Sequence, residues 1–248
     1  MRKKIIANYA LDFGGKPCLN SKHWHFGLMC VRKMLLNIRR LLCVFILLNA
    51  TSAFAASDDA ALMQLQQQWA VIKYQISDHA QQKEEITSLM HQAADLAKAH
   101  PNKAEPMIWQ AIIEATKAGI DSNFGSLLLI QQARDLLLQA DKINPKALHG
   151  LGAATLGSLY AQAPKPPLSF GNIDLAKEYL EKAIVLAPNS LDANLFYGSY
   201  LHQTGDDAKA REILTHALTA PVQNNNEVAD QGRRAEIQKL LEDIGDQE

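Results

Sequence analysis

Two stretches that lie 34 residues apart have the same pattern of small and large side chains. The sequences are AKEYLEKA at residues 176–183 and AREILTHA at residues 210–217, and a proline follows each of them at 188 and 221. Alanines at both ends of such a helix allow a neighbouring helix to approach closely, and the leucine between them fills the space that remains. The same spacing occurs earlier at Ala133, Leu137 and Ala140. The pattern therefore predicts helices that recur with a fixed period.

Another predicted helix, the first of each pair, precedes each of these stretches and has a pattern of its own. Leu156-Gly157-Ser158-Leu159-Tyr160 occurs in the middle unit, and Tyr197-Gly198-Ser199-Tyr200-Leu201 occurs in the last. In the first clear unit, Trp109 and Ile112 stand without a glycine after them. Together with the 34-residue period, these residues resemble the tetratricopeptide-repeat family, whose first helix usually reads W-x-x-L-G-x-x-Y.

The resemblance implies an all-α fold, an α-solenoid of tetratricopeptide-like helix-turn-helix repeats with a C-terminal capping helix. We expect a degenerate leading helix pair at 56–103, three repeats at 104–225 and the capping helix at 226–248. Two loops between the helices of a unit each carry a Phe-Gly pair. Their apolar residues either pack locally against helix ends or form a lip over the groove that contacts a ligand. These candidate lip residues are Phe124, Leu168 and Phe170.

The N-terminal region has a sequence pattern that predicts export. Residues 34–55 combine a basic pair, an apolar run of eight residues at 41–48 and small residues at Ala53 and Ala55, which is typical of a signal peptide cleaved before Ala56. The run is too short to span a bilayer as a helix, although a retained anchor is the alternative. Residues 1–33 are interpreted as an upstream extension that is unstructured or not translated; a metal site at His23 and His25 is the other interpretation.

Composition and the lack of known motifs argue against several classes of function. Residues 56–248 hold 16 basic and 25 acidic residues, a net charge of −9, which argues against nucleic acid as a partner. All three cysteines precede residue 56, so the exported chain has no thiol for a disulfide, a metal site or catalysis. The chain lacks the sequence motifs of common hydrolase, metalloprotease and phosphate-binding sites. We therefore expect no enzyme activity, no cofactor and no metal.

The resemblance implies that first helices line a concave groove that binds peptides or helices. The groove is expected to be mostly small, neutral or apolar. A periplasmic scaffold that binds another envelope protein or a peptide is the first hypothesis. A binder of a small hydrophobic ligand is the alternative, because the chain also resembles, more weakly, the periplasmic T components of some tripartite transporters. The predicted groove residues are Gln110, Glu114, Leu151, Ala154, Ser158, Asp192, Leu195, Ser199 and His202.

Overall fold

A computed structural model describes residues 59–123, 125–222 and 226–245. These residues belong to one compact unit, Ser57–Glu248. The described residues contain helices and turns but no strand. The predicted signal peptide, the upstream extension with its His pair, the three cysteines and Phe124 lie outside the described residues.

Helices α1 and α2 cover 59–74 and His79–Ala99, and α3 and α4 cover Ala104–Asp121 and Ser126–Ile143. A 3₁₀ turn, Ala147–Gly150, leads into the second half. There α5 and α6 cover Leu151–Gln162 and Ile173–Leu186, α7 and α8 cover Leu191–Gln203 and Asp207–Leu218, and α9 covers Glu227–Gly245.

Consecutive helices pack as antiparallel pairs, α3 with α4, α5 with α6 and α7 with α8, and α9 lies on the last pair. The predicted fold class, an all-α solenoid of helix pairs with a C-terminal capping helix, is confirmed.

The second helices bury the alternating alanines and leucines as the pattern predicts. Their side chains are almost fully excluded from solvent, so these helices meet their neighbours with little space between the backbones. Each residue type occupies the same place in all three units. The set comprises Ala133, Leu137 and Ala140 in α4, Ala176, Leu180 and Ala183 in α6, and Ala210, Leu214 and Ala217 in α8.

Glycine in the first helix receives the leucine of the second helix. A Cβ atom on Gly157 would lie 2.6 Å from Cγ of Leu180, and one on Gly198 would lie 2.6 Å from Cγ of Leu214. Carbon atoms at van der Waals contact are about 3.5–4.0 Å apart, so a side chain does not fit at either position. The glycine of the L-G-x-x-Y pattern thus sets how closely α5 and α7 approach their partners.

Polar side chains fix where several helices begin. The Asn172 side chain accepts hydrogen bonds from the backbone N–H groups of Asp174 and Leu175 at the start of α6. Asp78 and Ser190 accept from the third residue after them, at the starts of α2 and α7. These bonds satisfy N–H groups that have no partner inside the helix.

The loop between α3 and α4 is shorter than the sequence suggests. Residues 119–126 read as a long turn, but α3 continues through Gly119 to Asp121 and ends where Ser122 adopts a left-handed conformation (φ 44°). Helices tolerate a single glycine at modest cost. The other predicted loop is present, since residues 163–172 separate α5 from α6.

A search for possible membrane spans covered the described helices only. None of them combines the length and the hydropathy that a membrane crossing requires.

Candidate binding groove

A concave cavity of about 1390 Å³ runs along the first helices of the pairs. Its walls come from α1, α3, α5, the start of α7 and α9, with the first turns of α2 and α4 at one end. The first and the last described helices therefore both contribute to one cavity.

Part of the cavity wall is aromatic and aliphatic. Trp69 of α1 meets Trp109 of α3 edge-on, with ring centroids 5.5 Å apart, and Ile112, Leu151 and Phe196 continue the apolar wall. Such surfaces suit apolar side chains or apolar small molecules.

The two indole N–H groups in this wall differ in their partners. Trp69 Nε1 donates to Oγ1 of Thr116 at 2.9 Å. Trp109 Nε1 is buried without a hydrogen-bond partner among the described residues. A buried donor without an acceptor carries a free-energy penalty, so Trp109 is held in place by the packing of its ring.

Three of the nine predicted groove residues line the cavity. They are Leu151 and Ser158 in α5 and Asp192 in α7. The remaining six lie elsewhere, for reasons that differ between the helices.

In α3 the cavity-facing side of the helix is offset from the predicted one. The prediction placed Gln110 and Glu114 in the groove because Trp109 was aligned with the tryptophan of the family pattern. The structure instead lines the cavity with Ile112 and Thr116, two residues further along, next to Trp109 itself. An α-helix turns about 100° per residue, so an offset of two residues moves the groove to nearly the opposite side.

Glu114 is consequently a buried carboxylate away from the cavity. One of its oxygens accepts a hydrogen bond from Gln110 Nε2 at 2.8 Å, and the other has no partner among the described residues. Burial raises the pKa of Glu114, and the hydrogen bond from Gln110 only partly offsets this effect.

In α5 and α7 the remaining predicted residues are buried in the helix packing or lie outside the cavity. Ala154 is fully buried and Leu195 is 6% exposed. His202 Nδ1 lies 2.6 Å from a carboxylate oxygen of Asp207, and Ser199 does not line the cavity. The aromatic residue that faces the cavity from α7 is Phe196, which sequence reasoning missed.

Two of the residues predicted as a lip, Leu168 and Phe170, do not line the cavity. Leu168 is 61% exposed, and Phe170 packs edge-on against Tyr160 with centroids 5.6 Å apart. The guanidinium of Arg134 covers the Phe170 ring at 4.5 Å. Of the two interpretations of this loop, local packing describes Phe170. Phe124 lies outside the described residues.

The end of α1 touches the middle of α9, and we name this the α1–α9 contact. It comprises Lys73 and Tyr74 of α1 and Gly232, Arg233 and Glu236 of α9. Glu236 binds all three polar partners: Lys73 Nζ at 2.8 Å, Arg233 Nη1 at 2.7 Å and the Tyr74 hydroxyl at 3.3 Å. A Cβ atom on Gly232 would lie 2.5 Å from the Tyr74 ring, so the helix backbone rests directly on that ring.

Arg233 extends this contact to two more aromatic rings and to α7. Its guanidinium lies 5.3 Å from the Trp69 ring centroid and 5.2 Å from that of Phe196. Its Nε atom forms an ion pair with Asp192 at 2.7 Å. The side chain is only 8% exposed, and its charge is balanced by the two carboxylates.

Burial and charge act in opposite directions on the pKa values of this cluster. Burial would raise the pKa of Glu236, but Arg233 and Lys73 outweigh that effect and lower it. Burial lowers the pKa of Lys73, and the nearby Arg233 lowers it further, against the opposing effect of Glu236. The pKa of Tyr74 is raised, chiefly by burial.

Two residues that line the cavity adopt left-handed backbone angles although neither is glycine. Leu148 has φ 48° and His149 has φ 54°, in the 3₁₀ turn that precedes α5. Such angles cost about 1 kcal/mol or more for an ordinary residue and often occur at binding sites. The turn brings both residues to the cavity wall.

The described part of the chain contains no cluster of three or more histidine, cysteine, aspartate or glutamate side chains that could hold a metal ion.

Two crystal structures align with a large part of this chain. A thermophilic TPR protein of Thermus thermophilus aligns with a TM-score of 0.47 and 17% identity, over 75% of this chain and 91% of the other. MamA aligns with a TM-score of 0.41 and 18% identity, over 69% of this chain and 93% of the other. No curated protein matches the sequence.

Comparison with protein families identifies one repeat directly. Residues 168–190, which include the whole of α6, match the family model of the tetratricopeptide repeat. The predicted resemblance to the tetratricopeptide-repeat family is thus confirmed, with a tetratricopeptide repeat at residues 168–190.

Proposed function

We propose that this chain is an exported, non-catalytic scaffold whose groove binds a segment of a partner protein. The segment is uncharged and carries apolar side chains. The observation that carries this proposal is the cavity of about 1390 Å³ along the first helices.

The size of the cavity favours a peptide over a compact small molecule. Sites for drug-sized ligands occupy roughly 300–1,000 Å³, and this cavity is larger. Its walls come from successive first helices, so it is long enough to contact several side chains of one segment.

The chemistry of the walls favours an uncharged segment. Trp69, Trp109, Ile112 and Leu151 form an apolar part of the wall. Charged groups that line the cavity are already paired, for example Arg233 with Asp192. A charged side chain brought against the apolar part of the wall would lose its hydration without gaining a partner.

The proposal is tested with a matched pair of substitutions. Peptides are selected from a displayed library on the immobilised full chain, and the affinity of the best one is measured by calorimetry. Leu151→Glu introduces a charge into the cavity wall and is expected to weaken binding at least tenfold. Leu168→Glu makes the same change on the exposed loop and is expected to leave affinity unchanged.

A milder variant, Leu151→Ala, shows whether loss of binding is separable from loss of folding. It removes apolar contact without adding charge, and a thermal melt monitored by circular dichroism reports whether each variant folds. If Leu168→Glu weakened binding while Leu151→Glu did not, the loop and not the groove would be the binding surface.

Export is the second part of the proposal. Its support is the sequence of residues 34–55, with small residues at the expected cleavage site before Ala56. Native mass spectrometry of the protein purified from its own cell envelope is expected to give a chain that starts at Ala56. A mass that includes residue 1 would contradict both the cleavage and the periplasmic location.

A small hydrophobic ligand is the alternative occupant. The observation that favours it is the α1–α9 contact, because a contact between the first and last described helices encloses a ligand more than an open groove would. Among the residues predicted for the groove and the lip, Leu151 lines the cavity, whereas Ala154, Leu195 and Phe170 do not. A few hundred daltons of additional mass on the native protein would favour this alternative over the peptide.

A further inference from the structure

Several of the described contacts between α1 and the α9 region are polar. Lys73 and Tyr74 reach Glu236, Arg233 covers Trp69, and the Asn226 amide donates to the backbone oxygen of Gln66 at 3.4 Å. The Lys73–Glu236 pair is partly exposed, and such pairs stabilise a structure much less than buried apolar packing does. Breaking this pair therefore costs little free energy in itself.

The helices on either side of this contact are anchored much more firmly. In α1, Leu65, Trp69 and Ile72 are buried, and the Trp69 indole is bonded to Thr116 of α3. In α9, Ile237 and Ile244 are fully buried, and the helix packs on α7 and α8. The α1–α9 contact is thus more polar than the packing that anchors each of the two helices.

The same contact borders the cavity. Trp69 and Lys73 line it from α1, and Ala229, Asp230 and Arg233 line it from α9. Separation of the helices would widen the cavity at this side and expose the Trp69 ring beneath Arg233.

We propose that the α1–α9 contact is a gate to the cavity: α1 separates from α9 to admit the occupant, and Glu236 holds the closed state. This inference rests on the proposed function for its purpose, but the motion itself is measured without any ligand.

Two variants open the gate by different means. Glu236→Gln removes the carboxylate that binds Lys73, Tyr74 and Arg233. Gly232→Leu places a side chain where the Tyr74 ring lies and forces the helices apart. Glu242→Gln is the matched control, because it makes the same change of charge at an exposed position on α9 outside the contact.

The first measurement is hydrogen–deuterium exchange by mass spectrometry on the full chain. In Glu236→Gln and Gly232→Leu, amides in the last turn of α1 and around residue 233 are expected to exchange at least tenfold faster. Amides of α5 and α6 are expected to exchange at the wild-type rate, and Glu242→Gln is expected to match the wild type throughout. Unchanged exchange at α1 would overturn the gate, and so would an equal increase in α5 and α6, since that would make the contact part of the global core.

The second measurement is quenching of tryptophan fluorescence by acrylamide, a neutral probe, in full chains that all carry Trp24→Phe, so that the signal comes from Trp69 and Trp109. Quenching is expected to increase at least twofold in both opening variants and to stay unchanged in Glu242→Gln. No increase in either variant would contradict the link between the contact and the cavity. If the exchange and quenching results are as expected but no peptide binds, the proposed occupant alone would be refuted.

Discussion

At the scale of single residues, two helices of a pair can pack closely only where one of them has a glycine, which has no side chain. Gly157 lies against Leu180, and the nearest leucine atom is 2.6 Å from where a Cβ would be. The L-G-x-x-Y pattern allowed this contact to be predicted, since a glycine at that place in the repeat has a packing role. The position of Glu114 could not be predicted, because a missing glycine left the register of α3 open.

Gly157→Ala is expected to lower the free energy of unfolding by about 1–3 kcal/mol, because Leu180 and its backbone nitrogen must shift. Chemical denaturation of the purified chain measures the change. Gly119→Ala is the control, since a Cβ there meets no atom within 4 Å. An equal loss in both variants would show that the cost is unrelated to the contact with Leu180.

Glu114→Gln is expected to raise the free energy of unfolding by about 1 kcal/mol at pH 7, because it removes a buried charge with an unpaired oxygen. The pKa of Glu114 is raised in the folded state, so the folded chain keeps a proton that the unfolded chain loses. Wild-type stability therefore falls as the pH rises above the ordinary carboxyl pKa of about 4.3.

The advantage of the Glu114→Gln variant should accordingly be larger at pH 7 than at pH 4. Unfolding curves of both proteins at the two pH values measure it. A variant less stable than the wild type at pH 7 would mean that the carboxylate is stabilised by its surroundings.

At the scale of elements, the second helices were the most predictable part of the chain. Their alanine and leucine positions repeat with the same internal spacing, and burial of one face requires that spacing. The first helices were less predictable, because α3 lacks the glycine that fixes its rotation. The loop at 163–172 could be predicted from its prolines, but whether Phe170 faces a ligand or Tyr160 depends on contacts that the sequence does not encode locally.

Asn172→Ala is expected to destabilise the protein by about 1 kcal/mol. The Asn172 side chain accepts hydrogen bonds from two N–H groups at the start of α6, and alanine leaves both without that acceptor. Thermal unfolding measures the loss. The exposed Asn189 provides a comparison, and Asn189→Ala is expected to change stability by less than half as much.

At the scale of the whole described unit, the α1–α9 contact joins residues 162 positions apart, as in the bond from Tyr74 to Glu236. No sequence period indicates it, because α1 and α9 lie outside the repeats. Which residues of α9 the leading helix meets depends on the curvature of the full stack.

Acidification is expected to weaken this contact. The groups that face Glu236 are Lys73 and Tyr74 from α1 and Arg233 from α9, with Asp192 of α7 beyond Arg233. The cations lower the pKa of Glu236, so its contribution to stability is complete above the ordinary carboxyl pKa. That contribution is lost as the pH falls through the lowered value.

Acrylamide quenching of the tryptophans should therefore increase between pH 6 and pH 3 in the wild type. In Glu236→Gln it should be high at both values and change less. An equal pH dependence in the two proteins would assign the change to other carboxylates.

Arrays of identical units usually gain or lose members freely, because each unit touches only its neighbours. This chain differs, since its first described helix contacts both α3 and α9. A duplicated unit inserted between α6 and α7 would carry Glu236 away from Lys73 by the width of one helix pair. Gene duplication is the ordinary route by which such arrays lengthen, but here it would break the α1–α9 contact. The geometry of that contact therefore fixes the number of helix pairs.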